Sequence, residues 1–282
     1  MQVFDPRQSM TRANFEVFHY RDAKFEGVAV HQHDFYEVSF FISGNVEYSV
    51  EGKSYHLNKG DLLLINPLEL HQPRIAPDQN PYERIVLWIN KTYLSRLCTN
   101  NTSLSQCFDN TNPQHTNLLR LTKAQQSYIS SKLSELIEET RSGDYGSDLA
   151  AEAILTRFLV ELNRLTLSTD KKADTEKTTA PLVSEVLAYI NQHYCEKISL
   201  STIADEFFIS KYYLSHAFHS VVGTSVNRYI TLKRLINAKQ MLSSGIKPTT
   251  AALHCGFNDY AGFYRAFTAE YGITPKEYVI KV

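Results

Sequence analysis

The sequence predicts an α+β chain of two domains: a β-barrel or sandwich carrying two helices, then an all-α domain. Three observations predict it. Residues 16–90 fall into short apolar runs divided by turn residues, the spacing of barrels and sandwiches. The segment 168–181, Ser-Thr-Asp-Lys-Lys-Ala-Asp-Thr-Glu-Lys-Thr-Thr-Ala-Pro, has alanine as its one apolar type. It buries too little surface to offset the entropy of ordering and reads as a linker. Beyond it, apolar residues recur at helical spacing. The expected domains are therefore 1–167 and 182–282, joined by 168–181, in a chain of 282 residues that is long enough for two cores.

In order along the chain, strands are expected at Val28–Val30, Tyr36–Ile42, Val46–Val50, Ser54–Leu57, Asp61–Ile65 and Arg84–Ile89. Ser43-Gly44-Asn45 and Glu51-Gly52-Lys53 supply turns. Two helices follow. Thr122–Arg141 places Ile129, Leu133, Leu136 and Thr140 on one stripe; Ser147–Leu167 does the same with Ala151, Leu155, Phe158, Leu162 and Leu165. The stripes suit helices that cover the barrel, a dimer seam, or both.

Composition is that of an ordinary globular protein, 43% hydrophobic and 21% charged. No apolar run is long enough to span a membrane, and the N-terminus lacks the features of a signal peptide. Cys98, Cys107, Cys195 and Cys255 are scattered and read as free thiols of a reducing compartment, so a cytoplasmic protein is expected. The net charge of −1 hides an asymmetry: residues 181–282 carry ten Lys/Arg against seven Asp/Glu, a charge of +3 that leaves −4 for residues 1–180. A positive C-terminal part fits a nucleic-acid partner.

That part contains a repeat. Phe218-x4-Gly223-Thr224-Ser225-x3-Tyr229 returns as Phe267-x4-Gly272-Ile273-Thr274-x3-Tyr278, shifted by 49 residues, and Leu214 and Phe263 keep the same shift. In the first copy, Ser199 or Ser201 caps a short helix whose inward residues are Leu200, Ile203, Ala204 and Phe207. A turn at Phe208-Ile209 leads to Ser210, the N-cap of a second helix, Lys211–Ser220. It buries Tyr213 or Leu214, Ala217 and Phe218, and its outer face shows Lys211, Tyr212, Ser215, His216 and His219. A short helix, a tight turn and a second helix with a polar outer face are what a major-groove reader needs. The second copy runs Thr249–Leu253, the turn His254–Phe257, then Asn258–Thr268. Tyr260, Ala261, Tyr264 and Arg265 point outward, and Asn258 is either a base contact or an N-cap. Between the copies, Ser225–Leu242 reads as one helix with Ile230, Leu235, Ala238 and Leu242 inward. A rod of about 27 Å suits two probes one DNA turn, about 34 Å, apart.

Tyr213-Leu214-Ser215-x2-Phe218, Gly256-Phe257-x-Asp259-x3-Phe263-x-Arg265-x-Phe267 and Gly272-x-Thr274-Pro275-x2-Tyr278 resemble the C-terminal domain of the AraC/XylS family of transcription regulators. The resemblance covers about Leu182–Val282 and implies two helix-turn-helix units that bind promoter DNA. Departures are visible. His216, His219 and Thr268 stand where basic residues are usual, Val279 replaces an Arg, and Pro248 and Ala251 alter the start of the second unit. Fewer phosphate contacts imply a shallower salt dependence.

In the N-terminal part, His31-x-His33-x3-Glu37-x6-Gly44 and Gly60-Asp61-x5-Pro67-x3-His71 resemble the two motifs of cupin β-barrels. His31, His33 and Glu37 alternate along one strand and share a face. With His71 they match the three-His, one-carboxylate set that holds a metal in metal-bearing cupins, chemistry suited to Fe, Mn, Ni or Zn. The short Gly27–His31 spacing and Leu68 depart from the motif, and no resident cofactor or catalysis is expected. The barrel is expected to hold an effector instead, with His19, Arg21, His31, His33, Glu37, Tyr48, His71, Arg84 and Trp88 as candidate contacts. Family resemblance points to a sugar or other carbon source. The remaining expected partners are a second copy in a homodimer and, for an activator, RNA polymerase, with no membrane.

Overall fold

A computed structural model describes residues 9–23, 28–67, 69–76, 80–112, 115–168 and 181–281. The chain divides into two compact units, Met1–Lys177 and Thr178–Val282. The linker expected at 168–181 lies almost wholly outside the described residues.

The first unit is built on two antiparallel sheets. The larger has the order β1-β7-β2-β5-β8, formed by Phe15–Asp22, Tyr82–Asn90, Phe35–Ser43, Leu62–Ile65 and Leu118–Leu119; the smaller has the order β4-β3-β6, formed by Lys53–His56, Val46–Val50 and His71–Ile75. The two sheets do not close into one continuous barrel among the described residues. Three strands were absent from the sequence-based expectation: β1, β6 and the two-residue β8. β1 carries polar residues on both faces, which blurs the alternation that announces a strand. β6 contains Pro73, a residue that reads as a strand breaker but is tolerated at the sheet edge, where β6 sits. Conversely, Val28–Val30 forms no strand; the pairing falls one residue later, as an isolated bridge between His31 and His71.

The register decides which residues face the core. On β7, Ile85, Leu87 and Ile89 lie on one face and Arg84, Val86 and Trp88 on the other, paired with Tyr20 and Phe18 of β1 and with Ser39 and Glu37 of β2. The first face packs, with Phe15, Val38, Phe40, Leu62 and Leu64, against α2 (Lys123–Arg141) and α3 (Ser147–Ser168) through Ile129, Leu133, Leu136, Leu155, Phe158 and Leu162. Each fully buried side chain of this kind contributes about 1.5–3 kcal/mol. Thr140, expected on the α2 stripe, is only half-buried, and Ile137 takes its place. Thr122 begins α2 with a reciprocal capping box with Gln125. A further short helix, α1 (Lys91–Leu97), continues β7 and is capped by Asn90, whose Oδ1 accepts from Tyr93 N at 3.1 Å.

The second unit is all helical: α4 (Pro181–His193), α5 (Leu200–Glu206), α6 (Lys211–Val222), α7 (Val226–Ser243), α8 (Pro248–His254), α9 (Tyr260–Tyr271) and α10 (Pro275–Lys281). α7 is the expected rod, 18 residues long. Its first half buries Val226, Tyr229 and Ile230, with Tyr229 edge-on to Phe218 of α6 at 5.6 Å. Its second half supplies Leu235, Ala238 and Leu242 to a cluster with Ala251, Cys255, Phe263 and Phe267 of α8 and α9.

Candidate functional site

Because both faces of the large sheet are covered, its inner face encloses a cavity. The cleft is narrow and partly open to solvent, and is lined by Tyr20, His31, Glu37, Ser39, Tyr48, Tyr82, Arg84 and Trp88, with Val28, Pro73 and Val86 as its apolar members. Arg84, 3% exposed, is ion-paired with Asp22, also donates to the Tyr82 carbonyl, and lies over the Tyr82 ring at 4.0 Å. Trp88 Nε1 donates to Glu37 Oε2 at 2.9 Å and Tyr48 OH to Glu37 Oε1 at 3.5 Å. Burial raises the Tyr82 hydroxyl to about 12 and pushes Tyr48 well above its usual range, helped by the Glu37 charge. Both phenols stay protonated donors.

At one end of the cavity stand three histidines. The His31 and His71 rings are 4.3 Å apart, those of His33 and His71 4.8 Å. His33 Nε2 lies 3.3 Å from Glu37 Oε2, poorly aligned for a hydrogen bond. Burial disfavours the Glu37 carboxylate, but the His33 ring, with His71 and His31 beyond it, holds it at about 2, so it is ionised. Burial, then mutual repulsion, lowers His31 to about 4 and His71 well below its usual value, so both rings are neutral at pH 7.

Of the nine residues expected to contact an effector, His31, Glu37, Tyr48, Arg84 and Trp88 line the cavity, and His33 and His71 join it through the histidine cluster. His19 and Arg21 do not. β1 turns them to its other face, where both pair with Glu83, at 2.8 and 3.6 Å. Tyr20, Ser39 and Tyr82 were missed. Stepping back by two from Arg84 along β7 reaches Tyr82, whereas Tyr20 is invisible until β1 is recognised.

In the second unit the two helix-turn-helix elements share one turn geometry. Phe208 N donates to Asp205 O and Ile209 N to Ala204 O; in the second copy Gly256 N donates to Leu253 O and Phe257 N to Ala252 O. These paired bonds are Schellman motifs, which need a left-handed residue after the helix. Gly256 meets that need at φ 82°, and Phe208 meets it at φ 54° although it has a side chain. Ser199 caps α5 and Ser210 caps α6. α9 is capped by Asp259, whose Oδ1 accepts from Gly262 N at 2.6 Å; Asn258 therefore is not the cap. Leu214, not Tyr213, is the buried member of its pair. Lys211, Tyr212, His216 and His219 of α6 are exposed and Ser215 half-buried; Asn258 and the α9 residues Tyr260, Ala261, Tyr264 and Arg265 are exposed. No helix among the described residues is long and apolar enough to cross a membrane.

Comparison with known proteins agrees with both halves. Residues 13–159 match the protein-family model described as an AraC-like ligand binding domain, and residues 203–279 match a helix-turn-helix domain. Relatives include proteins named HTH-type transcriptional activator RhaS. That of an Enterobacter species is 26% identical over 248 residues, covering 88% of this chain and 86% of the relative; one from Escherichia coli is 22% identical over the same shares. Among solved structures, ToxT from Vibrio cholerae is similar at 14% identity and a TM-score of 0.37, covering 95% of this chain and 99% of that one.

Proposed function

Because the chain belongs to the AraC/XylS family of DNA-binding transcription regulators, we propose that a small polar effector held in the inter-sheet cavity controls how α6 and α9 engage promoter DNA. The observation that carries this reading is the cavity itself. Phenols, an indole, an ionised carboxylate and a guanidinium converge on space that close packing would otherwise fill. Aromatic walls and paired hydrogen-bonding groups suit a polyhydroxylated carbon source such as a sugar. Lys211, Tyr212, Ser215, His216 and His219 on the first reader, and Asn258, Tyr260, Ala261, Tyr264 and Arg265 by the second, are the proposed DNA contacts.

The active form is a homodimer in this reading. Leu149 and Leu167, 70% and 64% exposed, sit five helical turns apart on one side of α3 and support a seam there. Acting as an activator, the dimer would recruit RNA polymerase from the cytoplasm. A ligand switches such a protein only by binding one arrangement better than another. Footprinting the promoter next to the gene, with and without fractionated cell metabolites, tests this: a fraction that extends or shifts the protected region supports it. Identical protection in every fraction, with no thermal-shift response of the protein, would reject an effector.

A further inference from the structure

Cys195, in the connection from α4 to α5, and Cys255, at the end of α8, are far apart in the chain and close in space. A Cβ added to Gly256 would lie 2.9 Å from the Cα of Cys195. With consecutive Cα atoms about 3.8 Å apart, the two cysteine Cα atoms stand no more than about 8 Å from each other. A disulfide usually joins Cα atoms about 4.4–6.8 Å apart, so an approach of at most about 1.5 Å closes the pair. Cys195 is exposed, whereas Cys255 is 1% exposed with its Sγ 3.7 Å from Met241 Sδ. Arg234 of α7 holds the arrangement. Its Nε donates to Tyr194 O at 2.7 Å and its Nη2 to Glu196 O at 2.8 Å, on either side of Cys195, and its charge lies within electrostatic reach of both thiols. Such a cation favours the thiolate, the reactive form of a cysteine. Burial, with the Cys195 sulfur next to it, raises the Cys255 thiol to about 12 against the pull of Arg234. The exposed thiol therefore meets an oxidant first, and the buried one answers it.

We infer that Cys195 and Cys255 are a peroxide-oxidisable pair whose disulfide ties the α4–α5 connection to the α8–α9 turn and weakens the second helix-turn-helix unit. In the first step the Cys195 thiolate attacks a peroxide oxygen; the O–O bond breaks, hydroxide leaves and a sulfenic acid forms. Cys255 sulfur then attacks the Cys195 sulfur; the S–O bond breaks, the S–S bond forms, and the departing hydroxide takes the Cys255 proton as water. Two thiols lose two electrons, and one peroxide becomes two waters. Thiols of a reducing compartment return the two electrons. The structural consequence follows from where Cys255 sits. It packs in the cluster of Leu235, Ala238, Leu242, Phe263 and Phe267, and its neighbours Gly256 and Phe257 make the two bonds of the turn that aims α9. Drawing its sulfur toward Cys195 takes it off Met241 and strains that turn. The effect on DNA rests on the reading of α9 as a DNA contact; the disulfide itself does not.

Full-length protein, reduced and then treated with stoichiometric hydrogen peroxide, is alkylated, digested with trypsin without reduction and mapped by mass spectrometry. The expected product is peptide 178–197 linked to peptide 240–265, which hold Cys195 and Cys255. In a mobility-shift assay the oxidised protein is expected to bind promoter DNA at least about tenfold more weakly, as for the loss of one or two base contacts. Dithiothreitol restores binding, and Cys195→Ser and Cys255→Ala abolish the response to peroxide. Mapping the wild type gives an answer even where Cys255→Ala folds poorly. Peroxide that leaves Cys195 as an unlinked acid, or joins it to Cys195 of a second chain, overturns the pair. Linked peptides with unchanged promoter binding overturn the proposed effect on the second unit. If even the reduced protein binds no promoter, the DNA reading fails, and the peptide map still decides the disulfide.

Discussion

Phe208 and Gly256 occupy the same station in the two helix-turn-helix turns, and their surroundings demand different residues. At Gly256 an added Cβ would come within 2.5 Å of the Cys195 carbonyl oxygen, on top of a φ of 82°. Gly256→Ala is expected to cost more than about 2 kcal/mol of stability, read as a lower urea midpoint. Phe208 is 96% exposed at φ 54°, so its ring returns no burial for the strained backbone. Phe208→Gly is expected to raise stability by about 0.5–1 kcal/mol in the same measurement. Asn163 shows the opposite economy. Its side chain, 8% exposed, accepts from Cys107 N at 2.8 Å and donates to Leu104 O and Leu159 O at 2.9 and 2.8 Å. Asn163→Leu strands those backbone groups and is expected to cost about 2–3 kcal/mol, checked by chemical denaturation. None of these environments can be read from the residue type: Asn163 lies 56 residues from the amide it satisfies.

At the scale of elements, α6 and α9 were legible as helices with one buried and one exposed side because a helix declares its buried face within a dozen residues. Leu214 and Phe218 on one, Phe263 and Phe267 on the other, fix the rotation of each helix and so name the exposed side. The exposed side of α6 is poor in permanent charge, with Lys211 its one Lys or Arg. His216→Arg with His219→Lys is therefore expected to tighten promoter binding at low salt and to steepen the log–log salt dependence by up to about 0.9 per added phosphate contact; fluorescence anisotropy across a salt series measures both. Arg265→Ala should weaken binding, and less so as salt rises. If the slopes of all three proteins coincide, these helices do not face phosphate. The strands were less legible. β1 and β6 escaped because their polar residues and Pro73 are stabilised by neighbours that lie far away in sequence, Tyr82–Asn90 for one and Val46–Val50 for the other.

For the whole molecule, the charge asymmetry between the two parts, −4 and +3, places the electrostatic attraction for DNA in the second unit. That unit has its own core, so residues 178–282 expressed alone are expected to fold and to bind promoter fragments at low ionic strength, with helicity by circular dichroism confirming the fold. A folded fragment that binds no promoter DNA in a mobility-shift assay would remove the basis of the functional reading. The sequence by itself determined the division into a strand-rich and a helical part, the duplicated helix-turn-helix and the rod between its copies, because helix periodicity, caps and repeats are local and act within a few turns. Only the tertiary structure decided which polar residues meet. Strand register sent His19 and Arg21 outward and brought Tyr20, Tyr82 and Arg84 inward. It also set His71 against His33 and Glu37, since a side chain's partner across a sheet depends on pairings that no stretch of neighbouring residues encodes.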